Sequence, residues 1–145
     1  MAKSEQEVIR ELQDEMVKRA EKLVLDFNFR PNEAAEKGKA QASKAIEVAQ
    51  SAGSLLVFIN WLRYQAGREK SAYFWTKTAD RRSLVKAISE ELGWLQNQVA
   101  KGMQSKSKEQ KNRVTMRGVT RFRGYFRRAL IGAEYLAQIT VQEVT

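Results

Sequence analysis

Pro31 is the only proline in 145 residues, and on both sides of it apolar residues recur at intervals of three and four. That spacing is the period of a buried helix face, and strands with tight turns would use more Pro and Gly than this chain carries. Between residues 5 and 27, Val8, Leu12, Met16, Ala20, Leu23 and Phe27 share one face. Ser4, with Glu7 three residues later, has the pattern of a capping box. The segment around Pro31 ends this helix, and Asn32 is placed to cap the next. Residues 33–66 read as one long helix of two characters, Ala-rich and charged to Ala52, then apolar from 55 to 64 except for Asn60 and Arg63. A helix apolar on nearly all sides belongs at the centre of a bundle. Tyr73, Phe74 and Trp75 read as part of a short helix or connector. Residues 80–101 form an amphipathic helix on Leu84, Val85, Ile88, Leu92, Leu95 and Val99, with Asp80 as its cap. Residues 102–113 read as a mobile basic loop, and 117–140 as the last helix. The expected fold is all-α, a single domain over 1–145, built as a compact bundle of four to five helices. At this length about 68–70% of the unfolded surface is typically buried, so the core needs no staple.

The charge is not spread evenly. Residues 1–57 hold nine basic and ten acidic groups, whereas residues 101–128 hold ten basic groups against Glu109 alone. A concentrated positive field fits a polyanionic partner, and phosphate backbones are the commonest. The last helix buries Val119, Phe122, Phe126, Ala129, Ala133 and Leu136. At 100° per residue, Arg117, Arg121, Arg123, Arg127 and Arg128 fall at least about 90° from the centre of that stripe. Five arginines are therefore expected on the outward surface as phosphate contacts, with Lys106, Lys108 and Lys111 adding long-range attraction from the loop. Most of the aromatics lie at helical spacing and read as core, Tyr73 and Tyr125 being the expected exceptions because each adjoins basic residues.

Catalysis finds little to work with. The chain has no His and no Cys, and Asp occurs only at 14, 26 and 80. Glu90 and Glu91 are adjacent, so on a helix they point about 100° apart. Neither a convergent carboxylate set for metal-assisted cleavage nor a Gly-rich phosphate loop is present. The expectation is a non-enzymatic protein with no catalytic residues, no metal and no cofactor. The start is polar and acidic, unlike a secretory signal, and the longest apolar run is far below the ~20 residues of a membrane span. A cytoplasmic location is expected.

One string is distinctive. Residues 64–69, Tyr-Gln-Ala-Gly-Arg-Glu, close the apolar segment and are followed by Phe74 and Trp75. This resembles the corresponding segment in the small helical subunits of type III CRISPR effector complexes. The C-terminal part is similar too: residues 126–133, Phe-Arg-Arg-Ala-Leu-Ile-Gly-Ala, keep that family's Ala-Leu-aliphatic-small order, with Arg128 where the family has Glu and Ala133 where it has Tyr. The resemblance covers about half of the chain. It implies a helical, non-catalytic small subunit that stacks in several copies along a guide-RNA filament. Such a subunit touches the target RNA and its duplex with the guide through backbone phosphates, leaving sequence reading to base pairing. Its partners would be guide RNA, target RNA, the backbone and large subunits of the complex, and other copies of itself. Around the motif the resemblance adds Arg63, Arg68 and Lys70 to the RNA contacts, with Glu69 orienting an arginine or a neighbouring subunit. Two other readings remain open. One is a basic helical-bundle accessory factor that delivers RNA to a retroelement reverse transcriptase. The other is a membrane-surface protein, which would need large exposed apolar residues opposite the basic face.

Overall fold

The computed structural model describes residues 3–29, 38–69 and 74–144, with backbone only for Lys39 and residues 139–144. Asn32 as a cap, Lys70 as an RNA contact and Tyr73 lie outside the described residues. Six helices are described: α1 (Glu5–Asp26), α2 (Lys39–Ser51), α3 (Leu55–Arg68), α4 (Leu84–Gly102), α5 (Lys108–Ile131) and α6 (Ala133–Val144). Their assembly is the expected all-α bundle, with a two-residue β-ribbon as its one other described element, β1 (Thr78–Ala79) and β2 (Arg82–Ser83).

The first helix begins where its sequence says. Ser4 Oγ accepts from the Glu7 amide at 3.2 Å, and Val8, Met16, Ala20, Leu23 and Phe27 are buried. The long helix expected over 33–66 is instead two. The chain leaves helical geometry at Ala52, and Ser54 starts a new helix by accepting from the Val57 amide. A polar side chain two residues past the break satisfies the donors of the next first turn, so breaking costs little.

The helix expected from 80 starts at Leu84, capped by Ser83 rather than Asp80. Asp80 and Arg81 both have positive φ, 50° and 66°, and form the two-residue loop of the β1–β2 hairpin. Two positive φ values in such a loop match the right-handed twist of the flanking strands.

The mobile loop expected over 102–113 is mostly helix. Met103 is buried and α5 starts at Lys108, where Ser107 and Gln110 cap each other's backbone reciprocally. That Ser-x-x-Gln pattern is a helix-start signal inside a segment that otherwise reads only as polar. The last helix also ends earlier than expected, at Ile131, with Gly132 between α5 and α6.

The centre of the bundle is α5, not the apolar segment 55–64. α5 packs against α1, α2 and α4, with lesser contacts to α3 and α6. Gly118 makes this possible: a Cβ there would meet Leu95 Cδ2 at 3.0 Å and Ile9 Cδ1 at 3.4 Å, so the helices close on a bare backbone. Ala42, Ala45 and Ala49 are buried on α2, which packs chiefly on α5. α3 buries Leu55, Phe58 and Leu62 but leaves Leu56 71% and Val57 55% exposed. A cluster of rings, Phe29, Phe74, Trp75 and Phe126, fills the space beside α5. No described helix is long and apolar enough to cross a membrane.

Candidate polyanion-binding face

Arg113, Arg117 and Arg121 stand at i, i+4, i+8 along the exposed edge of α5. Four helical residues advance the chain about 6 Å, so the three guanidinium groups form a ladder on one line. The ladder overhangs two clefts. Towards α2 lies one of about 690 Å³, whose far wall includes the small residues Ala49, Ala52 and Gly53 and whose near wall includes Met116, Arg117, Thr120 and Arg121. Towards α1 lies a smaller one of about 240 Å³, lined by Gln6, Ile9, Arg10, Gln13, Arg117 and Arg121.

One acid already touches the ladder. Glu5, in the first turn of α1, accepts from Arg113 through one carboxylate oxygen and from Arg117 through the other, at 3.2 Å. The Arg113 hydrogen bond, aided by the charge of both guanidiniums, holds the Glu5 carboxyl below its ordinary range, and the same contact raises Arg113. Arg121 has no hydrogen bond or ion pair with a described residue, and neither does Arg10 across the smaller cleft.

The five arginines expected on one outward surface divide into three environments. Arg117, Arg121 and Arg128 are exposed. Arg128 lies 6.0 Å from the Tyr125 ring, beside a cleft that also includes Glu21 and Tyr135. Arg127 is half-buried, and its Nε donates to Ser43 Oγ at 2.8 Å, tying α5 to α2. Arg123 contradicts the expectation: it is fully buried. Its guanidinium lies 5.1 Å from the Trp75 ring and 5.0 Å from the Phe126 ring, and none of its three nitrogens has a hydrogen-bond partner. Loss of water lowers its pKa to about 9, leaving it charged at neutral pH. The helical wheel failed here because α5 is enclosed from several sides, so its buried arc is wider than one stripe.

The lysines are more modest. Lys108 is exposed in the first turn of α5, while Lys106 and Lys111 are half-buried. Arg63 and Arg68 are exposed on α3, the latter 5.5 Å from the Tyr64 ring, and neither lines the clefts along α5. Glu69 pairs with no arginine among the described residues. Its Oε2 accepts from the Phe74 and Trp75 amides at 3.0 Å each, and its Oε1 accepts from the amide and hydroxyl of Thr76 at 2.9 Å each. The carboxylate thus holds the turn that carries the two rings into the core. Of the adjacent acids on α4, Glu90 pairs with Arg82 at 2.7 Å, and Glu91 pairs with Arg19, whose guanidinium lies 3.9 Å over Trp94.

Sequence reasoning missed Arg113, Gln6, Arg10 and Gln13. The i, i+4 spacing of Arg113 with Arg117 was the available signal, masked by reading that stretch as a loop. Nothing in the sequence puts Arg10 beside Arg121, since that proximity comes from how α1 packs on α5. No family model matches the chain, and neither does any curated protein or solved structure.

Proposed function

We propose that this protein binds RNA without catalysis, through backbone phosphates laid along the exposed edge of α5, as the small subunit of a type III CRISPR effector complex. The carrying observation is the ladder Arg113, Arg117 and Arg121, exposed on a central helix and fixed in position by it. A guanidinium offers a planar fork suited to phosphate oxygens, and repeated forks at helical spacing suit a repeated anion. Arg128 and Lys108 extend the same field. The CRISPR setting rests on residues 64–69, of which Tyr64 and Arg68 remain exposed while Glu69 has a folding role. In that setting guide and target RNA, the backbone and large subunits and further copies of this chain are the partners, in the cytoplasm. The exposed apolar residues Leu56, Val57 and Tyr64 of α3 supply a surface on which a neighbouring subunit packs.

The triple change R117E/R121E/R128E tests the RNA reading. All three side chains are exposed, so helicity should hold, while affinity for RNA at about 0.1 M salt should fall at least about 100-fold. Unchanged affinity would sink the assignment of this face. Co-purification from the native host followed by RNA sequencing tests the setting, and it should recover repeat-derived guide RNA in a multisubunit particle.

A further inference from the structure

The small cleft between α1 and α5 is unusual in its charge. Arg10, Arg117 and Arg121 contribute three cations to its lining, Gln6 and Gln13 contribute two amides, and no carboxylate lines it. The donors come from two helices: Gln6, Arg10 and Gln13 at i, i+4, i+7 share one side of α1, and Arg117 and Arg121 share the facing side of α5. Like charges brought together raise the energy of the fold unless an anion joins them. Arg10 and Arg121 have no such partner among the described residues, while Arg117 already shows what the edge does with an anion by holding the Glu5 carboxylate. A volume of about 240 Å³ accommodates a phosphate group with a few waters, each water taking about 30 Å³.

We propose that this cleft seats one phosphate group, gripped between Arg10 and Arg121 with Arg117 and the two glutamine amides around it, and that the phosphate is a backbone phosphodiester of bound RNA. The RNA source rests on the reading of the α5 edge given above, whereas the phosphate seat rests on the cleft alone. A fixed seat does something that an open basic surface does not. It sets the register of the strand on the protein, because one phosphate is held from two helices while the others meet single arginines.

Two probes separate the seat from its source. Inorganic phosphate is titrated while the arginine Nε–Hε resonances are followed. Arg10 and Arg121 should shift together, and R10Q should remove the Arg121 shift. Independent shifts, or an Arg121 shift unchanged in R10Q, would overturn the seat. The second probe is a twelve-nucleotide uridine RNA, followed by anisotropy from 50 to 200 mM salt. R10Q should weaken binding about tenfold and lower the salt slope by about one, and R10Q/R121Q should lower the slope no further, since both residues act on the same phosphate. RNA binding untouched by R10Q but lost in R117E/R121E/R128E would overturn the seat and leave the RNA face standing. Coupled phosphate shifts without any RNA binding would keep the seat and overturn RNA as its source.

Discussion

α3 and α5 exchange the places that their compositions suggest. α3 is the most continuously apolar stretch of the chain, yet it lies at the side of the bundle with Leu56, Val57 and Tyr64 in solvent. α5 carries ten charged or polar residues among the fourteen before its first phenylalanine, Phe122, yet it is the helix the others pack around. The difference lies in how closely a helix can be approached. Gly118 lets α1 and α4 close on α5, whereas α3 offers a large side chain at almost every position and buries only the face on Leu55, Phe58 and Leu62. Burial follows close packing, not mean hydropathy. The apolar residues left outside on α3 and the cations left outside on α5 are then the two surfaces that folding does not need.

The largest test of that contrast sets one helix against the other. Gly118→Val should destabilise by about 1–3 kcal/mol in urea titrations, because its methyls enter the space of Leu95 and Ile9. Leu56→Ser with Val57→Ser removes more apolar surface from the chain but should change stability by less than about 0.5 kcal/mol per site, since both side chains are already in water. The reverse ranking would mean that α3, not α5, anchors the bundle.

Next comes Arg123, the one basic residue of α5 that shares the fate of its core. Arg123→Met keeps the volume and the contact with Trp75 and Phe126 while removing an unpartnered charge, and should raise stability at pH 7 by about 1–2 kcal/mol after loss of the ring–cation attraction. The sign with pH follows from its lowered value. Above about 9, and up to the higher value of the unfolded chain, the folded protein holds fewer protons than the unfolded one, so this group's contribution to stability rises with pH there. The advantage of the methionine variant should therefore be full below pH 9 and shrink above it. A wild-type protein several kcal/mol more stable than the variant at pH 7 would show that an anion reaches Arg123.

How far the sequence reveals this molecule depends on how local each feature is. The face of α1, the stripe of α4 and the capping serines are legible because they are set within one or two turns. The break at residues 52–54 and the start of α5 were also written locally, in Ser54 and in the Ser107–Gln110 pair, but a strong apolar or polar average hid them. The candidate site divides in the same way. Arg117, Arg121 and Arg128 are outward on any helical wheel, whereas the burial of Arg123 and the approach of Arg10 to Arg121 depend on how three helices enclose a fourth. The role of Glu69 was invisible for the same reason: its four hydrogen bonds go to a turn whose shape is set by Phe74 and Trp75 entering the core.

Glu5 gives the smallest and most discriminating test, because its carboxylate is hydrogen-bonded to two rungs of the ladder. Its pairs with Arg113 and Arg117 are exposed, so Glu5→Gln should cost little stability. What stability the pair does give is present above the unfolded carboxyl value of 4.5 and is lost as pH falls through the lowered folded one. For binding the effect is opposite in sign. With Glu5 neutral, Arg113 and Arg117 are released to phosphate, and affinity for RNA should rise about two- to fivefold at low salt. That gain should vanish as the wild-type carboxyl itself is protonated in acid, and it should vanish as well in a background with Arg113 and Arg117 both changed to Glu. A gain that survives both would place the RNA away from α5 and on another basic surface, of which Arg63 and Arg68 on α3 are the exposed candidates.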